Sequence, residues 1–310
     1  MTPLAPSAPA SVLAPHLICM LSMLFWAAGL PAADLLIDEV PPLMLTAART
    51  GIAAAVLVPL WLALEGAAVL RGARWGLGIA VGGITIGIGA VLLVVAQRMT
   101  DAVTVAIVAA ASPLIGMALE IVLDGRRVTT ALVLGLALSV LGGALALGSG
   151  AASLGLGLGA FLCLISVAIF TLGSRLSVTA FPALTPLGRT TITLSGAAMM
   201  TGIAALFQAG AGGPMPNWAS LGWAEFGALV VFGVGGMAIS QLLWIMAVGR
   251  LGIGLASLHI NATPFYVMVI LFALGGAWNW RQALAACVVG LGVAVAQGLF
   301  ARRLFARGKA

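Results

Sequence analysis

The sequence predicts an all-α integral membrane protein: ten transmembrane helices arranged as two inverted five-helix repeats around a central cavity. Three observations carry this expectation. The composition has too little charge for a wet surface, the apolar runs are long enough to cross a bilayer, and motifs of the first half recur in the second.

The chain has 310 residues, of which 62% are hydrophobic and 7% charged, and its mean hydropathy is +1.20. Soluble domains carry roughly 25% charged residues. A water-soluble fold of this composition would have almost nothing to place on its surface, whereas a bilayer asks for no polar cover. The net charge of +6 comes from cations scattered singly between apolar runs. That spacing fits membrane topology and excludes a nucleic-acid surface. Cys19, Cys163 and Cys287 fall inside predicted helices with neither a disulfide framework nor metal-ligand spacing, so no metal and no cofactor is expected. Residues 1–14 are rich in Pro, Ala and Ser and lack a basic n-region; they read as a disordered tail, not a signal peptide.

Apolar runs place the spans near 15–34, 43–64, 75–97, 102–122, 130–148, 155–175, 187–208, 224–247, 253–274 and 282–301. Crossing the hydrocarbon core takes about 20 helical residues. Very short loops, such as 98–101 and 250–252, force antiparallel neighbours. The short alternating strands of an outer-membrane barrel are missing. Arg71, Arg74, Arg126, Arg127, Arg175, Arg189, Arg250 and the cations of the basic tail 302–310 share the side of the N-terminus, against Arg49, Arg98 and Arg281 on the other. Both termini are therefore expected in the cytoplasm.

The repeat appears in three pairs. "PPLMLTAART" and "FPALTPLGRT" share Pro-x6-Arg-Thr, through Pro42 and Arg49 and then Pro182 and Arg189, 140 residues later. "ASPLIGM" around Pro113 parallels "ATPFYVM" around Pro264, and "VLGGALALG" parallels "GLGVAVAQG". The halves are then 15–150 and 151–301, with five spans each. Five is odd, so the second half enters from the opposite side, as in secondary transporters that bind substrate between their repeats.

With Phe25-Trp26 in the first span, Pro-x6-Arg at the second, Ser112-Pro113 in the fourth and Leu141-Gly142-Gly143 in the fifth, the chain resembles the drug/metabolite transporter superfamily, EamA type. The resemblance covers nearly the whole chain and is nearest to the YddG-type amino-acid exporters of bacterial inner membranes. It implies a cavity surrounded by spans 1, 3, 4, 6, 8 and 9. One departure stands out. Where such proteins often carry Leu-Gly-Glu, this chain has Leu123-Asp124-Gly125 and Leu274-Gly275-Gly276. Small multidrug exporters of the superfamily use a glutamate in the first span, and this first span has none.

Polar groups at membrane depth are costly and face the protein interior or a cavity. The candidates for substrate binding are Trp26, Thr85, Ser166, Gln241, Trp244, Ser257, His259, Asn261, Thr263 and Tyr266. Seven of these have a further reason for choice. Gln241 and Trp244 share a face at i, i+3; Gln offers donor and acceptor, and Trp a flat wall with one N–H. Ser257 and Asn261 share a face at i, i+4, and His259, Thr263 and Tyr266 share a neighbouring one at i, i+4, i+7. Pro264 lacks an N–H and is expected to kink the ninth span and free a carbonyl near Ile260, as Pro113 kinks the fourth. Gly89 is a candidate for close approach or gating. Asn and Thr side chains that merely satisfy the kinked backbone are the plainer alternative.

The acids lie at span ends or in loops, with Glu120 the deepest, and no Walker, HExxH or Ser/His/Asp arrangement is present. The expectation is an inner-membrane exporter of neutral, aromatic or mixed amino acids and similar small metabolites. It would work by alternating access without ATP, as a monomer in the lipid bilayer and by facilitated diffusion. A proton-coupled drug or metabolite exporter is the alternative. A nucleotide-sugar carrier would want basic cavity residues, and none is expected at the midplane. A membrane receptor or enzyme would need a large soluble loop or a buried catalytic group.

Overall fold

The computed structural model describes residues 13–124, 129–147, 154–217 and 219–296. The predicted tails, apart from Leu13 and Ala14, the boundary between the halves and the side chain of Glu120 lie outside the described residues. Every regular element within them is a helix. We label the runs α1 (Leu13–Asp34), α2 (Pro42–Gly72), α3 (Trp75–Met99), α4 (Ala102–Ala109 and Ser112–Asp124), α5 (Thr130–Leu147), α6 (Leu154–Thr179), α7 (Pro186–Gly210), α8 (Trp223–Leu251), α9 (Ile253–Ser257, Leu258–Ala262 and Thr263–Ala273) and α10 (Trp280–Ala296).

Among the described residues six helices, α1, α2, α3, α6, α7 and α8, are long and apolar enough to cross a membrane. Their outer faces carry exposed apolar side chains, among them Leu64, Ile84, Phe161, Leu206 and Phe207. Such a surface would be a liability in water and is what lipid requires. α2 outruns its expected end because helix continues to Gly72, but Gly66 breaks it with a φ of 84°. That left-handed conformation favours glycine, which has no Cβ to clash.

Helix starts follow local chemistry. Asp101 caps α4, its carboxylate accepting from Thr104 N–H at 2.9 Å. Thr185 caps α7 by accepting from Gly188 N–H at 3.1 Å, with Pro186 in the first turn where its missing N–H is harmless.

The packing pairs α1 with α8, α3 with α6, α2 with α7, α5 with α10 and α4 with α9. α3 meets α7 through glycines: a Cβ at Gly82 would overlap the carbonyl of Thr193, and one at Gly78 would overlap Ile192. Here the small residues allow backbone-to-backbone contact.

Four helices are irregular at depth. α3 contains a π-helical stretch, Gly82–Gly87, and α8 another, Val231–Ile239. α4 is interrupted at Ala110 and Ala111, and α9 tightens to a 3-10 turn over Leu258–Ala262. Pro113 and Pro264 each sit second in the helical piece that follows the interruption.

Candidate functional site

The four irregular segments converge on one cavity. Its volume is about 70 Å³, room for roughly five water-sized groups at about 10–15 Å³ each. Ile86 comes from the π stretch of α3, with Gly89 just beyond it. Ala109 and Ser112 flank the break in α4. Gly236 and Met237 come from the π stretch of α8, and Ile260 from the 3-10 turn of α9. Met23 and Trp26 of α1, Arg49 of α2 and Ser166, Val167 and Phe170 of α6 complete much of the wall. Irregular backbone inside a membrane protein survives where it is buried or lines a cavity.

Of the residues singled out in the sequence, Trp26, Gly89, Ser166, Gln241 and Trp244 line this cavity. Ser166 donates to the carbonyl of Gly89 at 2.7 Å, joining α6 to α3. Trp244 donates its indole N–H to Ser174 Oγ at 2.9 Å and lies 6.2 Å from the Phe170 ring, centroid to centroid. Gln241 is buried, and its Nε2 has no hydrogen-bond partner.

The others are placed elsewhere. Thr85 is buried against Gly173 and donates back to the Val81 carbonyl at 2.6 Å. Ser257 is fully buried and donates back to Ile253 at 2.7 Å. His259 meets His16 at 3.0 Å, and the Tyr266 hydroxyl lies 4.0 Å from Met20 Sδ. Asn261 Oδ1 and Thr263 Oγ1 are buried without hydrogen-bond partners. The cavity's contact with α9 is made instead by Ile260. The carbonyl expected to be freed by Pro264 is not free: Ile260 O accepts from Thr263 N–H, because the 3-10 turn shifts the bonding by one residue.

Sequence reasoning missed Arg49. Counted as a loop charge, it is in fact 3% exposed and lines the cavity. The expectation that the cavity has no basic residue is therefore corrected. Nη2 donates to Met237 Sδ at 3.1 Å, and the guanidinium carbon sits 4.2 Å from the centroid of the Phe232 ring. Nε and Nη1 have no hydrogen-bond partner. A thioether is a weak acceptor. A desolvated cation–π contact returns about 2 kcal/mol, against a burial penalty on the order of several kcal/mol for an unpaired charge. Among the described residues no acid lines the cavity. Three acids are bonded elsewhere: Asp34 accepts from Gln97, Glu39 from Asn217 and Ser220, and Glu65 from Thr185.

Residues 13–148 match the EamA-like transporter family. The EamA-matching segment spans α1 to α5 and supplies Trp26, Arg49, Gly89 and Ser112 to the cavity. Together with the apolar helices, the match supports a multi-pass membrane protein whose first half is similar to a transporter family. A solved crystal structure of a protein is similar over 95% of this chain and 99% of its own, with a TM-score of 0.70 and 24% identity. That likeness shows the fold. No curated protein matches the chain.

Proposed function

We propose that the protein exports small metabolites, amino acids foremost, across a bacterial inner membrane by alternating access and without ATP. Both termini would be cytoplasmic and the ten helices would form two inverted repeats. One observation carries the reading: α3, α4, α8 and α9 each lose regular helix where they reach a shared cavity. Discontinuous helices at a central site are how secondary transporters bind cargo between repeats.

The packing supports the same reading. Replacing each helix by the one five places along turns the α1–α8 contact into α6–α3, and maps α2–α7, α4–α9 and α5–α10 onto themselves. The π stretches of α3 and α8 and the breaks of α4 and α9 exchange in the same way. A scaffold with two near-equivalent halves has two near-equivalent packings, one open to each side. Because no described acid lines the cavity, facilitated diffusion is favoured over a proton-driven cycle, which usually places a carboxylate at depth.

The test is flux in proteoliposomes with a panel of labelled amino acids, with and without a pH gradient. Flux down the gradient, lost in Gln241→Ala and Trp244→Ala variants that remain folded, is expected. No flux for any amino acid sinks the cargo assignment, and accumulation driven by the pH gradient sinks facilitated diffusion in favour of proton coupling.

A further inference from the structure

We infer that Arg49 and Gln241 form a carboxylate-binding pair, so that the cavity selects cargo bearing a carboxylate and rejects the matching amine. The inference rests on the reading of this cavity as the transport site. It begins from two buried side chains that have hydrogen bonds left to give. Arg49 Nε and Nη1 and Gln241 Nε2 are donors without a partner, and both residues line the same cavity. Guanidinium and amide N–H groups call for acceptors. A carboxylate has only acceptors when ionised, and a guanidinium meets it with two parallel N–H groups. An ammonium has only donors, and among the described residues the cavity offers it no acid.

The repeat partner of Arg49 shows that burial is not what this motif requires. Arg189 occupies the same place in Pro-x6-Arg-Thr. Its Nε donates to the Phe181 carbonyl at 2.9 Å and its Nη2 to the Pro182 carbonyl at 3.0 Å, so it ties down the turn before its own helix. Arg49 makes no such bond. It lies over Phe232 and against Met237, with the rest of its fork unspent. One copy of the motif is a clamp on the backbone, and the other brings a positive charge to the cavity. The remaining wall sets the body of the cargo: Trp26, Phe170 and Trp244 are aromatic, a surface suited to an apolar or aromatic group.

Three probes that share one ring system separate the groups: phenylalanine, 3-phenylpropionate and 2-phenylethylamine. Each is titrated into the purified full chain in detergent, with tryptophan fluorescence as the readout. Phenylalanine and 3-phenylpropionate should bind at least about tenfold more tightly than the amine. Arg49→Gln should lose at least about tenfold for both carboxylates, and Arg49→Lys should fall between it and the parent because it keeps the charge but not the fork. An amine bound as tightly as the acids, no binding of any probe, or unchanged carboxylate binding in Arg49→Gln overturns the proposal. If Arg49→Gln does not fold, the acid–amine split of the parent and the Arg49→Lys titration decide it. Flux of labelled phenylalanine is measured in parallel: carboxylate binding without flux refutes transport and leaves the binding pair standing, whereas flux with equal binding of the amine refutes the pair alone.

Discussion

His16 Nδ1 and His259 Nε2 lie 3.0 Å apart, so the two histidines of the chain join α1 to α9. His259 Nδ1 lies 3.2 Å from the Ala256 carbonyl, which only accepts, so a hydrogen bond there calls for the Nδ1–H tautomer. In the neutral ring Nε2 is then the acceptor, and His16 must donate from Nδ1. Nitrogen-15 NMR on histidine-labelled protein should find both neutral rings as Nδ1–H tautomers. A double-mutant cycle with His16→Phe and His259→Phe should give a coupling of about 0.5–1.5 kcal/mol in thermal unfolding. Additive effects of the two substitutions would show that the rings do not bond.

Gly82 and Gly51 should respond oppositely to alanine. A Cβ on Gly82 would overlap the backbone carbonyl of Thr193, and neither backbone can give way without separating α3 from α7. Gly51, also helical, has nothing within 4 Å of its would-be Cβ. Gly82→Ala is expected to lose on the order of 2 kcal/mol or more, or to yield no folded protein. Gly51→Ala should gain about 0.5–1 kcal/mol from the reduced freedom of the unfolded chain. The check is the unfolding midpoint of each variant in one detergent. A Gly82→Ala protein as stable as the parent would contradict the close contact.

Physical reasons separate what was legible in the sequence from what was not. The helical membrane class follows from composition, since 7% charge cannot cover a soluble surface. Trp26, Ser166, Gln241 and Trp244 stand out because a polar or aromatic group in mid-span is conspicuous, and all four reach the cavity. Arg49 did not stand out. Its motif is shared with Arg189, and an arginine near a span end looks like a topology signal; only packing shows that one is buried and the other bonded to its own turn. The polar run from Ser257 to Tyr266 drew attention for its composition. Composition carries no direction, and the tightened backbone over Leu258–Ala262 presents Ile260 to the cavity instead. Nor does a sequence show that His259 has a partner 243 residues away.

Gln97 should prove a stability residue and not a cargo residue. It is 3% exposed, and its amide donates to the Leu30 carbonyl and to Asp34 Oδ1, both at 2.7 Å, tying the end of α1 to α3. Gln97→Leu removes both donors and leaves the Leu30 carbonyl without that bond, at a cost of about 1–3 kcal/mol. Gln97→Glu, if ionised, sets a second carboxylate against Asp34 and should cost more. Asp34→Asn keeps an acceptor and should cost least. Thermal unfolding of the three variants gives the order directly, and any other ranking would mean that the Gln97 bonds do not hold this corner.

Trp244 serves both the wall and the scaffold, and three substitutions separate those roles. Its indole N–H donates to Ser174 Oγ at 2.9 Å while its ring faces Phe170 and the cavity. Trp244→Phe and Ser174→Ala remove the same hydrogen bond, so each should cost about 1–2 kcal/mol in unfolding. Trp244→Ala removes the ring as well and should cost about 3–5 kcal/mol, because neighbours around a buried aromatic collapse only partly. Binding of an aromatic carboxylate should follow the ring and not the bond: nearly retained in Ser174→Ala, weakened in Trp244→Phe and lost in Trp244→Ala. Equal loss of binding in Ser174→Ala and Trp244→Ala would mean that the α6–α8 bond sets the shape of the site, and that the ring itself contributes no contact to the cargo.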